Sequence, residues 1–151
     1  MTVPYDAFTS AFLTKITEYD LVSLDDNMRT AIVDGYMKRS LSNTTFKKVC
    51  SIDFFGGADE EERTYTVDVD EETMDELIDI ISDGMLVQWL KPYVYRQENL
   101  EQILSTRDYS LYSPAELLLR VGNAYTKAQK DYMQHIREYS YNHGDLTSLH
   151  L

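Results

Sequence analysis

The last third of the chain carries the feature that most restricts the possible folds. Ser113-Pro114-Ala115-Glu116 has the pattern of a capping box: a serine N-cap, a proline at the first helical position and a glutamate at the third. Large side chains then repeat every seven residues, at Leu118, Tyr125, Tyr132 and Tyr139. This spacing predicts one long helix from Pro114 to about Asn142, which Gly144 ends. A mainly α-helical fold is therefore expected.

Two segments near the start of the chain show the same helical period. One face of the first predicted helix, from Tyr5 to Tyr19 with Pro4 in its first turn, consists of Phe8, Phe12, Ile16 and Tyr19. Ser23 can cap a second helix, which frays near residues 40–45. Its predicted buried stripe is Met28, Ala31, Ile32, Gly35 and Tyr36.

A third helix is predicted from Asp70, which serves as its N-cap. The acidic residues that follow complement the positive end of the helix dipole. Its apolar face comprises Met74, Leu77, Ile78, Ile81, Met85 and Trp89. Pro92 is expected to kink or end this helix near Leu90, and a shorter helix follows from Tyr93 to Leu104.

Between the second and third helices the period changes from helical to alternating. Apolar side chains alternate with polar ones in two stretches on either side of Gly56-Gly57: Cys50, Ile52 and Phe54, then Tyr65, Val67 and Val69. This pattern predicts a β-hairpin, although Cys50 could instead end a helix. The whole chain, 1–151, is thus predicted to be a single domain: a bundle of four to five helices with a small hairpin insertion at about 50–70 and a tail at 142–151.

The net charge of −12 is concentrated in one segment. Residues 59–83 contain 12 acidic residues and a single base, Arg63, whereas the remainder of the chain is nearly neutral. A chain without a basic stripe is not expected to bind nucleic acid or an anionic membrane surface. The single cysteine, Cys50, allows no internal disulfide, which is typical of a protein made in a reducing cytosol. No membrane-spanning segment is predicted, because the most apolar stretch is too short.

Neither a catalytic site nor a cofactor is predicted. Five acidic residues fall at calcium-loop spacing, but Thr73 occupies the position where that loop needs glycine, and the segment reads as a helix. Cys50 lies in an apolar alternation, and His135, His143 and His150 match no nucleophilic or zinc pattern. The prediction is no enzyme and no metal. A metal-assisted hydrolase that uses the acidic residues remains an alternative, which would bind divalent cations.

Aromatic residues supply the candidate packing surfaces. Six of the twelve tyrosines lie on or just before the last helix, and tyrosine is favoured on faces whose edge stays wet. The seven-residue repeat on the last helix indicates a seam within the chain, a contact between subunits, or both, since a long helix has two sides. The residues proposed for subunit contact are Trp89, Tyr125, Tyr132 and Tyr139.

The order of these parts resembles a known family. The relevant stretches are Met74-Asp75-Glu76-Leu77-Ile78-Asp79-Ile80-Ile81, Leu86-Val87-Gln88-Trp89-Leu90-Lys91-Pro92-Tyr93-Val94-Tyr95-Arg96, Tyr112-Ser113-Pro114-Ala115-Glu116-Leu117-Leu118 and Tyr141-Asn142-His143-Gly144-Asp145-Leu146. In pattern and size the chain resembles the small helical head–tail connector (adaptor) proteins of tailed bacteriophages that infect Gram-positive hosts.

The resemblance implies a ring of twelve copies in the neck of the virion, made in the bacterial host cytoplasm. The ring would contact the portal protein on one side and a tail or stopper protein on the other, while genomic DNA passes through without specific binding. The acidic residues expected to face the channel or a neighbouring ring are Asp59, Glu60, Glu61, Glu62, Asp68, Asp70, Glu71 and Glu72. The resemblance also implies portal contacts by a terminal segment, here His143, Asp145, Leu146, Leu149 and Leu151.

An acidic DNA mimic or regulatory binding protein of phage origin is the alternative function. It predicts carboxylates spread over a surface at phosphate-like intervals, whereas here they are concentrated in one segment. Other phage neck proteins, such as stoppers and tail terminators, tend to be β-rich and do not fit a helical chain.

Overall fold

The computed structural model describes residues 1–18, 30–94 and 114–143. These residues form five α-helices: α1 (Tyr5–Glu18), α2 (Thr30–Leu41), α3 (Thr44–Cys50), α4 (Glu71–Val94) and α5 (Pro114–His143). Three short strands complete this part of the chain: β1 (Thr2–Pro4), β2 (Ala58–Asp59) and β3 (Thr64–Thr66). The predicted fold class, a mainly α bundle with a small β insertion, is confirmed.

Helix α4 lies at the centre of the bundle, where it packs against α1, α2 and α5. Its predicted face is buried, and between Ile80 and Leu90 only Gln88 keeps appreciable exposure. A helix covered on all sides is expected to be apolar all round, and this stretch is, apart from the buried Ser82 and Asp83. Gly84 permits the close packing, because a Cβ there would lie 2.8 Å from the Ser40 Oγ atom and 2.9 Å from the Tyr132 ring.

The N-cap prediction for α4 is confirmed, and of the two alternatives predicted at Pro92, a kink or an end near Leu90, the end is wrong. Asp70 accepts a hydrogen bond from the Thr73 N–H at 2.8 Å. The helix continues through Pro92 to Val94, four residues beyond Leu90. Proline removes only one backbone hydrogen bond, which the packing of the preceding turns against the core can offset. The predicted helix from Tyr93 to Leu104 falls largely on residues that the structure leaves undescribed.

Helix α1 matches its prediction except at Tyr19, which lies outside the described residues, whereas the buried stripe of α2 is shifted by one position. Phe8, Phe12 and Ile16 are fully buried, and Pro4 lies in β1 instead of the first helical turn. In α2 the buried residues are Val33, Met37, Ser40 and Leu41, while Ile32 is 47% exposed. Because Ile32 and Val33 are adjacent, the sequence allows a buried stripe through either residue. The predicted stripe contains Ile32, whereas the structure buries Val33. Ser23 and Met28 lie outside the described residues.

The predicted hairpin exists with different strands. Cys50 ends α3, whose N-cap Asn43 accepts a hydrogen bond from the Phe46 N–H at 3.1 Å, so the alternative for Cys50 was the correct one. The sheet is antiparallel in the order β1-β3-β2, and β1 was not predicted. Phe54 packs from a turn against the Phe8 and Tyr65 rings, which explains its apolar position without a strand. Gly57 is required beside β3, since a Cβ there would lie 1.9 Å from the Thr66 carbonyl oxygen.

Candidate functional site

The tyrosine-rich face of α5 forms a seam within the chain. Tyr132, Tyr139 and Trp89 are all less than 7% exposed, and the Tyr132 hydroxyl donates a buried hydrogen bond of 2.9 Å to the Ser40 carbonyl. Burial raises the pKa of Tyr132 above that of a free tyrosine. Because these three rings are covered by the chain's own residues, they have almost no surface left for a second subunit. Tyr125 is half-buried and keeps part of its surface exposed.

Tyr125 lines a groove between α4 and α5 of about 780 Å³, the α4–α5 groove. Its apolar floor includes Val87, Tyr132 and Met133. Its polar lining residues are Asn43, Gln88, Lys91, Gln129, Lys130, Gln134 and Arg137. Three of these are cationic, and no carboxylate appears among the described residues that line it. In a chain of net charge −12, this groove is a local concentration of positive charge.

The cations of the groove come from two helices. Lys130 and Arg137 are seven residues apart on α5, which is about 10 Å along a helix axis. Lys91 lies near the C-terminal end of α4, across the groove. The arrangement suits an anionic partner with apolar atoms, because it offers ammonium and guanidinium donors above an apolar floor. This site was not predicted from the sequence, because Lys91 lies on a different helix, 39 residues before Lys130 in the chain.

The acidic turn, residues 59–62, joins β2 to β3 and has a defined conformation. The Asp59 carboxylate accepts hydrogen bonds from the N–H groups of Glu61 and Glu62, at 3.0 and 3.1 Å. Glu60 pairs with Lys38 at 3.1 Å. The carboxylates of Glu61 and Glu62 are exposed and make no ion pair with any described residue. Two predicted site residues thus present unneutralised charge from a fixed turn.

Arg63 anchors this turn to the bundle. Its Nε atom donates to Asp34 at 3.0 Å, its Nη2 atom donates to the other Asp34 oxygen at 2.7 Å, and Nη1 reaches Asp6 at 2.9 Å. Its backbone lies in the left-handed region, with φ of 54°. Its carbonyl accepts a hydrogen bond from the Tyr5 N–H at 2.8 Å. The turn is therefore held to both α1 and α2.

The other predicted acidic residues surround the start of α4. Asp68, Glu71 and Glu72 are exposed and form no ion pair within the described part of the chain. Asp70 is also exposed, and its hydrogen bonds with Thr73 lower the pKa of that carboxyl below its usual value. In this group, Asp70 caps the helix, whereas Asp68, Glu71 and Glu72 carry exposed charge.

A polar cluster lies between α1, α4 and α5: Lys15, Asp79, Asp83 and His135. Lys15 Nζ lies 2.6 Å from Asp83 Oδ1 and 2.7 Å from Asp79 Oδ1, and it also donates to the Asp79 carbonyl at 2.9 Å. His135 Nδ1 bonds to the other Asp83 oxygen. Burial raises the pKa of Asp83, while the hydrogen bonds from Lys15 and His135 act in the opposite direction.

This cluster has the residue types of a metal site but already contains a cation. Asp79, Asp83 and His135 each offer one ligand atom within 4.8 Å of the others, a set that zinc could use. However, the Lys15 ammonium occupies the space between the two carboxylates. It supplies the positive charge that a metal ion would bring. The cluster is therefore a satisfied charge network that joins three helices.

Among the remaining candidate residues, the structure describes Cys50 and His143. Cys50 is buried, and burial, with a smaller contribution from Glu76, raises the pKa of its thiol to about 12. A thiol with such a pKa stays protonated at neutral pH and is a poor nucleophile. His143 bonds to Glu76 at 2.7 Å and stacks on Tyr139. The other predicted portal contacts, Asp145, Leu146, Leu149 and Leu151, lie outside the described residues.

Comparison of the chain with protein-family models, with curated proteins and with solved structures finds no match in any of the three. Among the helices that the structure describes, none is long and apolar enough to cross a membrane.

Proposed function

We propose that this chain is a structural subunit that assembles with its own copies into a ring, through which DNA passes in the neck of a phage virion. The resemblance to head–tail connector proteins supplies the class of assembly. The ring would be built in the host cytoplasm and would bind the portal protein and a tail or stopper protein. Rings arise when one surface of each subunit binds a different surface of the next and the rotation closes.

One observation carries the role beside DNA: the exposed, unpaired carboxylates at the start of α4. Asp68, Glu71 and Glu72 project from the N-terminal end of the central helix and its approach, where α4 is anchored by Asp70. A channel wall with this charge would repel phosphates, so DNA would slide without being retained. We assign these residues to the channel.

Electron microscopy of the protein mixed with candidate portal assemblies tests the proposal. The expected result is a ring below the portal with the start of α4 on the channel wall. A ring with that end on its outer rim would contradict the channel assignment. Failure to assemble on any portal would contradict the connector role and favour the acidic DNA mimic or regulatory protein.

Charge reversal provides a second test of the channel. In the assembled ring, Glu72→Lys is expected to cause retention of duplex DNA at low salt, because phosphate contacts dominate non-specific affinity. The matched control is Glu138→Lys on α5, which changes the charge of an exposed residue elsewhere. Equal retention by the control would show that net charge, and not the channel, determines binding.

The tail is the proposed contact with the portal. Removal of residues 144–151 is expected to leave the thermal stability of the chain unchanged and to weaken its binding to the portal. Undiminished binding would contradict this assignment. His143→Ala tests the end of α5 separately from the tail. His143 already contacts Glu76 and Tyr139 in the same chain, so this variant shows whether the helix end itself contributes to portal binding.

A further inference from the structure

The α4–α5 groove has the charge and shape to bind an anionic occupant. Lys91, Lys130 and Arg137 line it, and none of them forms an ion pair with a described residue. The floor is apolar, formed in part by Val87 and Met133. Charges of one sign around a concave surface focus their field and attract the opposite charge. A complementary occupant brings carboxylates or other anions on a body small enough for a groove of about 780 Å³.

The acidic turn has the complementary properties. It protrudes as a tight connection between two strands, and Glu61 and Glu62 carry its unpaired carboxylates. Asp59 fixes the turn from inside, and Arg63 fixes it to α1 and α2. A segment that is already rigid loses little conformational freedom on binding. The turn and the groove share no residue, so one copy can use both at once.

We propose that the acidic turn of one copy binds in the α4–α5 groove of the next, with Glu61 and Glu62 facing Lys91, Lys130 and Arg137. This contact depends on the proposed ring and would join each subunit of the ring to the next. The contact is heterologous, since each copy gives a turn and receives a turn. Tyr125, the residue of the predicted aromatic interface that keeps exposed surface, lies at the edge of this contact.

A second copy fits the groove better than nucleic acid does. Three cations neutralise few phosphates, and the large negative charge of the remainder of the chain opposes a DNA backbone. The acidic turn presents two carboxylates to three cations, and charge complementarity of this kind sets orientation and register. In this arrangement the turn is withdrawn from the channel, which leaves the start of α4 to face DNA.

A charge swap tests the contact. The first variant is Lys130→Glu with Arg137→Glu, and the second is Glu61→Lys with Glu62→Lys. Each alone is expected to weaken self-association measured by sedimentation about tenfold or more, because like charges then face each other. An equimolar mixture is expected to restore association, since alternating copies place opposite charges at every contact. A mixture as weak as its components would overturn the proposal.

A cross-link reports the contact even where association is weak. Full-length chains carrying Glu61→Cys and Arg137→Cys are mixed at high concentration under mild oxidation. The expected product is a disulfide-linked mixed dimer, and the native Cys50 gives no background because it is buried. The matched control replaces Arg137→Cys by Glu138→Cys, an exposed neighbour on the helix that does not line the groove. Absence of the mixed product, or equal yield with the control, would overturn the proposal.

These results separate the contact from the function on which it rests. A ring on the portal whose cross-links join other residues would overturn this contact and preserve the connector role. The mixed cross-link in a protein that never assembles on a portal would preserve the contact and contradict the connector role. If residues 95–113 of the same chain fill the groove, the Lys130→Glu/Arg137→Glu variant will lose thermal stability, and mixing will not restore association. That outcome would overturn the proposal.

Discussion

The acidic segment contains two groups of carboxylates that the fold treats in opposite ways. At Asp79 and Asp83, on α4, the ammonium of Lys15 lies between the side chains, and His135 adds a further bond to Asp83. In the acidic turn, Glu61 and Glu62 face solvent without an ion pair to any described residue. The first group joins helices, and the second remains available to a partner. Density of charge in a sequence therefore does not reveal what the charge does, because cations from distant parts of the chain decide it.

The difference is energetic as well as geometric. The Asp83 side chain is only 5% exposed, and a buried carboxylate without partners would strongly favour its protonated form. Lys15 and His135 offset part of that cost. Solvent already stabilises the exposed carboxylates of the turn, so they contribute little to folding. Four changes test this contrast.

Lys15→Met should have the largest effect. It leaves Asp83 buried with one partner fewer, and breaking a buried ion pair from one side costs about 3 kcal/mol. The free energy of unfolding, measured with urea, should fall by that amount. The control is Lys127→Met, which removes an exposed lysine 4.0 Å from Asp131 and should cost less than about 0.5 kcal/mol. Similar losses in both variants would remove the distinction between the two groups.

Arg63→Ala should have the next largest effect, because it releases the acidic turn from its anchor. The two-pronged contact with Asp34 and the bond to Asp6 are lost, and charge-assisted bonds of this kind are worth about 1–2 kcal/mol together. Arg63→Lys should recover only part of the stability, since lysine lacks the planar fork. The measurement is the midpoint of urea unfolding. The control is Arg39→Ala, which removes an exposed arginine. Full recovery by lysine would show that charge alone anchors the turn.

Asp70→Ala should have a smaller effect that depends on pH. Hydrogen bonding to Thr73 places the pKa of Asp70 below its usual value of 3.8, so ionised Asp70 stabilises the folded chain at neutral pH. The stabilisation by Asp70 is fully present at a pH above its usual pKa of 3.8, and it is lost as the pH falls through the lowered pKa of the folded state. The stability difference between wild type and variant, followed from pH 7 to acid, should therefore shrink. A difference that stays constant would contradict the assignment.

Replacing both Glu61 and Glu62 by glutamine should have the smallest effect on folding. Exposed substitutions of this kind change the free energy of unfolding by about 0.5 kcal/mol at most. Thermal and urea unfolding of the monomer should therefore match those of the wild type, while self-association weakens. A clear loss of monomer stability would show that these carboxylates stabilise the fold, as Asp79 and Asp83 do.

Local patterns in the sequence were sufficient for the long helices. The seven-residue repeat predicted α5 to within one residue at its C-terminal end, and Asp70 marked the start of α4. The strand β1 was missed because its partner, β3, lies about 60 residues away in the chain. The stripe of α2 was misplaced because two adjacent apolar residues fit different faces, and only the packing against α4 chooses between them.

The candidate site was harder to predict for the same physical reason. The acidic residues were visible as a cluster, but their division into two groups depends on Lys15 and His135, which are distant in the chain. The groove depends on Lys91, Lys130 and Arg137, which come together only when α5 packs on α4. Composition identified the charges, and tertiary contacts determine their roles.

The pairing of β1 with β3 has a consequence for the order of folding. The β2–β3 hairpin is local and can form early, whereas the bonds of Val67 with Met1 and of Arg63 with Tyr5 close a loop of about sixty residues. Such long-range closure is slow because the chain must lose entropy before any contact rewards it. Pulsed hydrogen exchange should accordingly show late protection at the Val67 and Tyr5 amides. In a newly made chain the acidic turn would therefore form early with its hairpin, but it would reach its final position against α1 only when these long-range bonds close.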